Sequence, residues 1–218
     1  TEKHVLAAIE NAKSGFVEEG NVGAGTGTMC FGFKGGIGTS SRILPESAGG
    51  YTVGVLVQTN FGGVLEINGV PVGKEMGRYP FKGAYIDNGS ADGSCMIVVI
   101  TDAPVDTRNL ERMAKRAIMG LAKTGGVASN GSGDYVIALS VYDDNLLDAS
   151  SESSQYTSTF LKNRSVTSLF LATIEATEEA IVNSLFAAET LEGRDGNRAE
   201  QIPIDRVMEI MKKYNKAK

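Results

Sequence analysis

The sequence predicts an α/β fold of layered type, in which a buried sheet packs against long helices. Three short runs that are rich in β-branched and apolar residues have the length of strands, and they cover 51–58, 95–100 and 135–139. Two longer segments, 106–121 and 165–190, repeat apolar residues at helical spacing. Strand and helix patterns therefore alternate along the chain, which is typical of α/β proteins.

Length and composition limit the class of protein. A chain of 218 residues that is 42% hydrophobic can bury one core, so we expect a single domain spanning 1–218. The net charge of -5 argues against a nucleic-acid partner, because such proteins concentrate basic residues on one face. No apolar run approaches the roughly 20 residues that span a bilayer, and residues 1–4 lack the pattern of a signal peptide. We therefore expect no membrane partner and, by default, a cytoplasmic location.

Weaker patterns suggest the remaining elements. We expect helices over 3–13 and 204–214, a strand or hairpin arm over 64–72, and a loop over 73–93. The run 95–100 is apolar without alternation, which is typical of a strand that is buried on both faces.

Two glycine-rich segments partly resemble phosphate-binding loops. Segment 23–28 begins like a dinucleotide fingerprint, but Thr28 stands where the last glycine is required. Segment 69–75 has three residues between its glycines where a phosphate loop has four, and it ends on Glu75 where Ser or Thr belongs. Both fail on spacing, so we predict no nucleotide and no other cofactor.

Histidine and cysteine counts restrict the chemistry further. The single histidine, His4, lies at the start of the chain and is poorly placed to serve a Ser-His-Asp triad. Two cysteines, Cys30 and Cys95, cannot supply a four-ligand zinc site, and we expect them to be reduced and buried. Any serine nucleophile must therefore be activated without imidazole, and we predict no metal.

A serine can use its own α-amine as the base if the peptide bond before it is cut. That amine titrates near about 7.7–8.0, so it can accept the hydroxyl proton at ambient pH. Gly93 and Ser94 stand between a polar segment and the apolar run 95–100, which is the pattern such chemistry needs. Glycine allows the strained backbone of an N-to-O acyl shift. The same pattern also fits a polar turn before a strand, so the residues alone leave both interpretations open.

Several motifs recur in the order of a known family. They are 21–42, 92–104, 129–134, 174–181 and 190–196. Together they closely resemble the L-aminopeptidase/D-esterase and β-peptidyl aminopeptidase family of self-processing N-terminal-serine hydrolases. The resemblance implies an αββα sandwich like that of N-terminal-nucleophile hydrolases, and cleavage between Gly93 and Ser94 into portions 1–93 and 94–218. It also implies release of N-terminal residues from short peptides, amides or esters, and a homo-oligomer.

The resemblance assigns roles to individual residues. Ser94 is the new N-terminus and nucleophile, and Ser132 is the second serine that hydrogen-bonds it. Asp134 stands where the family has an acidic residue that supports this serine, and Asn60 resembles the asparagine that donates to the oxyanion. We expect the glycine-rich stretch 21–41 to line the pocket with backbone N–H groups. The candidate substrate-binding residues are Gly35, Gly36, Asn130 and Gly131.

Two further expectations concern charge and chain length. Lys34 and Arg42 are expected to be solvated surface charges and not ligands of a substrate carboxylate. Family precursors extend well ahead of the region that matches Thr1, and that part supplies strands of the sandwich and a tyrosine near the oxyanion. A chain without it is expected to have an unpaired sheet edge and a pocket with an open wall.

Two functions of other classes stay open on the sequence alone. One is a non-catalytic assembly or ligand-binding domain that keeps the fold. The other is an acyltransferase of the same architecture, which passes the acyl group to an amine instead of water. Relatives of that kind usually carry threonine as nucleophile, so Ser94 counts modestly against this alternative.

Overall fold

The computed structural model describes residues 1–80 and 93–217. The strands in these ranges are β1 Met29–Cys30, β2 Phe33–Lys34, β3 Ile37–Ile43, β4 Thr52–Asn60, β5 Ser94–Thr101, β6 Gly133–Ser140, β7 Leu191–Glu192 and β8 Arg198–Ala199. The helices are α1 Glu2–Glu10, α2 Val72–Glu75, α3 Thr107–Lys123, α4 Thr167–Phe186 and α5 Ile204–Lys213. The α/β class predicted from the sequence is confirmed.

The central sheet has four strands in the order β3-β4-β5-β6. Neighbouring strands are antiparallel except β5 and β6, which run parallel and are joined by α3 as a crossover. Two short hairpins, β1 with β2 and β7 with β8, lie outside this sheet.

One face of the sheet packs against α3 and α4 and forms the core. Alternate residues of β4 are buried on this side, from Val53 through Val57 to Thr59. Gly38 of β3 touches α4 so closely that an added Cβ would lie 2.0 Å from the carbonyl oxygen of Ala180. Glycine at this position therefore sets the distance between sheet and helix.

The opposite face of the sheet is open among the described residues, and the expectation that β5 is buried on both faces is wrong. Met96 and Ile100 of β5 are 41% and 39% exposed, while Tyr135 and Ile137 of β6 beside them are 64% and 58% exposed. The described residues thus build one sheet and its covering helices, which are two of the four layers of an αββα sandwich.

Segment 64–72 is not a strand. Ile67 and Val70 form an isolated bridge around a tight turn, in which Asn68 and Gly69 have φ values of 50° and 74°. Positive φ at both central residues is the geometry that Asn-Gly favours. Helix α2 then occupies the start of the loop predicted over 73–93, and the part of that prediction on 81–92 lies outside the described residues.

The helices follow the predicted pattern closely. Helix α3 begins where the Asp106 carboxylate accepts a hydrogen bond from the Asn109 backbone N–H at 2.8 Å, a standard N-cap. Helix α1 ends earlier than the predicted 3–13, and Val5, Leu6 and Ile9 on its apolar face are all more than half exposed. Within 1–80 and 93–217, no helix combines the length and apolar character needed to cross a membrane.

Candidate active site

Ser94 lies where three strand ends meet. It is the first residue of β5 and pairs in register with Asn60, the last residue of β4, and with Gly133, the first residue of β6. Residues that pair across neighbouring strands project from the same face, so Asn60 and Ser94 both face the open side of the sheet. The Asn60 amide nitrogen lies 3.5 Å from the Ser94 hydroxyl oxygen, at the outer limit of a hydrogen bond.

The Asn60 amide is oriented from its other side. The backbone N–H of Met29 in β1 donates to Asn60 Oδ1 at 3.1 Å, so the amide NH₂ is the end that faces Ser94. This amide therefore presents a hydrogen-bond donor toward the Ser94 hydroxyl, and its donation to an oxyanion stays a prediction. Met29 lies in the stretch 21–41 whose backbone N–H groups were expected at the pocket, but the sequence could not single it out because a backbone donor leaves no signature in its side chain.

Gly93 is held tightly against its neighbours. Its carbonyl oxygen accepts a hydrogen bond from the Gly133 backbone N–H at 2.9 Å. A Cβ added to Gly93 would lie 3.3 Å from Ser132 Oγ and 3.4 Å from Phe61, which is closer than most real contacts. The Ser132 hydroxyl thus lies beside the residue that precedes Ser94, and its hydrogen bond to Ser94 stays a prediction.

A tight turn carries Ser132 to this position. The Ser132 backbone N–H donates to the Ser129 carbonyl at 2.8 Å, and β6 begins at the next residue. Asn130 and Gly131 are exposed at the tip of this turn. They therefore lie at the rim of the strand-end site, and their contact with a substrate stays a prediction.

Asp134 lies on the side of the sheet opposite to Ser94, and its support of Ser132 stays a prediction. Its register partner is Cys95, which is fully buried, so the Asp134 side chain lies on the helix-covered side of the sheet. The oxygen Oδ1 is buried and has no hydrogen-bond partner, and no hydrogen bond joins Asp134 to Ser132 among the described residues. Burial, and then the nearby Cys30 and Asp134, raise the pKa of the Cys95 thiol well above its ordinary value.

Gly35 and Gly36 are buried, and each packs closely against backbone atoms of a neighbouring segment. A Cβ on Gly35 would lie 2.8 Å from the Thr59 carbonyl oxygen, and one on Gly36 would lie 2.3 Å from the Gly20 carbonyl oxygen. Close backbone packing therefore requires glycine at both positions, and their binding of a substrate stays a prediction.

Lys34 is not a solvated surface charge, and that expectation is wrong. The residue is only 1% exposed, and burial lowers the pKa of its amine. Its Nζ donates to three backbone carbonyls, those of Gly25 at 2.8 Å, Thr28 at 3.0 Å and Gly35 at 2.6 Å.

Arg42 stays partly exposed, as expected of a surface charge, but its charge is paired. Its guanidinium pairs with Glu175 at 3.3 Å and with Glu179 at 2.5 Å, and both carboxylates belong to α4. The side chain therefore joins the edge strand β3 to the helix layer.

His4, the single histidine, is exposed on α1.

The structure is that of an α/β protein whose central strand β5 begins with a serine that lies beside an asparagine amide. Residues 1–199 match the model of Peptidase family S58, and the chain belongs to this family. The family resemblance found in the sequence is thereby confirmed.

Individual relatives agree with this assignment. The chain is 43% identical over 225 residues to beta-peptidyl aminopeptidase BapA of Sphingosinicella microcystinivorans. This match covers 98% of this chain and 56% of that protein. A Burkholderia beta-aminopeptidase structure is 38% identical with a TM-score of 0.84, covering 98% of this chain and 59% of the other. The L-aminopeptidase D-Ala-esterase/amidase of Ochrobactrum anthropi, described as a variant of the Ntn hydrolase fold, is 33% identical with a TM-score of 0.85. That match covers 100% of this chain and 59% of the other, so the chain spans little more than half the length of these relatives.

Proposed function

We propose that the protein is a self-processing serine aminopeptidase or amidase that releases N-terminal residues from short peptides, amides or esters. The observation that carries this proposal is the placement of the Ser94 hydroxyl at the start of β5, 3.5 Å from the Asn60 amide nitrogen. Membership of Peptidase family S58 supports the same reaction class.

Self-cleavage starts from the uncut chain. The Ser94 hydroxyl oxygen attacks the Gly93 carbonyl carbon, the peptide bond to the Ser94 nitrogen breaks, and the hydroxyl proton passes to that nitrogen. Water then hydrolyses the resulting ester, which leaves a carboxylate on Gly93 and a free amine on Ser94. The Gly133 N–H, 2.9 Å from the scissile carbonyl oxygen, stabilises the negative charge that develops there. The cut divides the chain into 1–93 and 94–218.

Turnover then uses the amine that cleavage has freed. The Ser94 α-amine accepts the hydroxyl proton, and the hydroxyl oxygen attacks the substrate carbonyl. The Asn60 NH₂ donates to the oxyanion, and the proton passes to the leaving amine or alcohol. Water hydrolyses the acyl-enzyme, with Ser132 beside Ser94 as the hydrogen-bonding partner that guides the proton.

Asp134 is proposed to support Ser132 from the helix-covered side of the sheet. A buried carboxylate oxygen without a hydrogen-bond partner costs about 1–3 kcal/mol or more, and groups of this kind are often retained for function.

Substrates and assembly are proposed by analogy with the relatives. The two kinds of relative are called a beta-peptidyl aminopeptidase and an L-aminopeptidase D-Ala-esterase/amidase, so both β-amino and α-amino acyl amides are suitable probes. We propose that the protein forms a homo-oligomer, as the family resemblance implies.

Variants at Ser94 test the proposal. Wild-type protein, Ser94→Ala and the exposed control Ser151→Ala would be incubated with p-nitroanilides of β- and α-amino acids. We expect turnover by wild type and Ser151→Ala only, and Ser94→Ala should stay uncut. Turnover by Ser94→Ala would overturn the assignment of the nucleophile. Adding a competing amine measures how much acyl group is transferred instead of hydrolysed, which separates an amidase from an acyltransferase.

A further inference from the structure

The Lys34 ammonium is the most deeply buried cation that the structure describes. It lies in the hairpin of β1 and β2 at 1% exposure, and no described carboxylate forms an ion pair with it. A buried charge without a counter-ion is costly unless hydrogen bonds compensate for the lost water. The three N–H groups of an ammonium match the three carbonyls that Lys34 contacts.

One of these carbonyls connects Lys34 to the strand-end site. The carbonyl of Thr28 and the N–H of Met29 belong to the same peptide group. Lys34 Nζ donates to this carbonyl at 3.0 Å, while the N–H donates to Asn60 Oδ1 at 3.1 Å. The Asn60 Nδ2 in turn lies 3.5 Å from Ser94 Oγ. A continuous path of hydrogen-bonding groups therefore leads from the buried ammonium to the nucleophile.

The backbone fixes this path in place. Lys34 and Met29 are register partners in the β1–β2 hairpin, so the lysine side chain starts beside the peptide group that it contacts. The Gly35 N–H also donates to the Thr28 carbonyl, at 3.1 Å. Two donors on one carbonyl oxygen hold this peptide group in a single orientation.

Charge on Lys34 has two consequences for the Asn60 amide. A cation at the Thr28 carbonyl oxygen draws electron density through the peptide group, which makes the Met29 N–H a stronger donor. Such cooperativity strengthens each hydrogen bond of a chain by about 10–30%. The Met29 N–H can donate only to the oxygen of the Asn60 amide, so the NH₂ end stays toward Ser94. Orientation and donor strength at the nucleophile both depend on Lys34.

We propose that Lys34 is a positioning residue, which acts through the Thr28–Met29 peptide group to orient and polarise the Asn60 amide toward Ser94. The catalytic part of this inference rests on the proposed function, in which Asn60 donates to the oxyanion. The path itself is a property of the folded chain, and it can be measured without turnover.

The first test is spectroscopic. The Met29 backbone amide and the Asn60 side-chain amide would be assigned by NMR in wild type, in Lys34→Met and in Lys115→Met, an exposed control with the same substitution. We expect both resonances to move upfield in Lys34→Met, with Met29 amide exchange faster by about tenfold, and to stay in place in the control. Unchanged Met29 and Asn60 resonances in a folded Lys34→Met protein would overturn the proposal.

A second variant covers a failure of Lys34→Met to fold. Lys34→Gln removes the charge but keeps an NH₂ group that can donate to the surrounding carbonyls. We expect the same upfield shifts in Lys34→Gln, smaller in size, and their absence in this variant contradicts the proposal in the same way.

The second test is a double-mutant cycle on the full-length enzyme. We expect Lys34→Met to lower kcat about tenfold with KM unchanged, and to cause no further loss in an Asn60→Ala background. A fold defect alone would reduce activity equally in both backgrounds, which would contradict a role through Asn60. If wild type shows no turnover, the proposed function fails, while the NMR result still decides whether the path exists.

Discussion

Asn60 and Ser94 face each other across β4 and β5, with the amide nitrogen of the first 3.5 Å from the hydroxyl oxygen of the second. The Met29 N–H fixes which end of the Asn60 amide is presented. The strand pairing therefore places the proposed nucleophile and the proposed oxyanion donor together before any substrate binds, which is the kind of preorganisation that accelerates acyl transfer.

Replacing Asn60 tests the donor directly. We expect Asn60→Ala to lower kcat by about 10²–10³-fold with little change in KM, because the amide acts on charge that develops in the transition state. The matched control is Gln58→Ala, an amide two residues earlier on the same face of β4, which contacts the Ala24 carbonyl. Steady-state kinetics give kcat and KM for both variants. An equal fall in kcat in the two would argue against a specific role for Asn60.

Adding a methyl group at Gly93 tests the tight approach to the scissile bond. The new Cβ would lie 3.3 Å from Ser132 Oγ and 3.4 Å from Phe61, so it should displace the Ser132 hydroxyl. We expect Gly93→Ala to slow self-cleavage by about tenfold or more, since small misplacements of reacting groups carry large rate costs. Gly62→Ala, which has open space at its Cβ, serves as the control. The uncut fraction is followed by gel over time, and equal cutting of both variants would show that the contact has no influence.

The contact between Gly38 and α4 predicts a stability effect that is separate from catalysis. A Cβ at Gly38 would lie 2.0 Å from the Ala180 carbonyl oxygen and 2.6 Å from the Ser184 nitrogen, and neither backbone group can move freely. We expect Gly38→Ala to reduce the free energy of unfolding by about 3 kcal/mol or more. Gly27→Ala, whose Cβ meets open space, should change it by less than about 1 kcal/mol. Denaturant unfolding measures the free energy of unfolding of both variants. Similar values would contradict the claim that Gly38 sets the distance between β3 and α4.

Both cysteines should resist alkylation in the native protein. Burial raises the pKa of the Cys30 thiol to about 12, even though hydrogen bonds with Thr59 and Phe61 lower it in part, and burial also raises that of Cys95. An acid with a raised pKa keeps its proton, so at pH 8 only roughly one Cys30 thiol in ten thousand is a thiolate. We expect iodoacetamide to label both residues in guanidinium chloride and neither in buffer. Rapid labelling of the native protein would contradict the burial of these thiols.

The sequence predicted the long helices and the strands β4, β5 and β6 of the central sheet because their apolar patterns are strong. It missed β3, since Ile37–Ile43 is mostly small and polar, and its burial depends on α4 packing over Gly38. The prediction that the run 95–100 is buried on both faces is wrong, because an apolar stretch does not reveal which of its faces the rest of the chain covers.

The site was predicted unevenly for similar reasons. Strand register brings the segments of Ser94, Asn60 and Ser132 to one end of the sheet, while the roles that the family resemblance implies for them stay predictions. Asp134 was expected to support Ser132, and that role stays a prediction; strand alternation directs its side chain to the side of Cys95, which the sequence alone did not show. Lys34 was taken as surface charge because charged residues are rarely buried, and only the tertiary structure shows the carbonyls that surround it.

The most direct test of self-processing is intact mass under denaturing conditions, with N-terminal sequencing of every species, on the full-length wild type and on Ser94→Ala. We predict that wild type contains a fragment beginning Ser94-Cys95-Met96 and that Ser94→Ala contains none. A wild-type chain that runs unbroken across Gly93 and Ser94 would mean that the serine amine is still held in a peptide bond, and it would contradict the proposed mechanism.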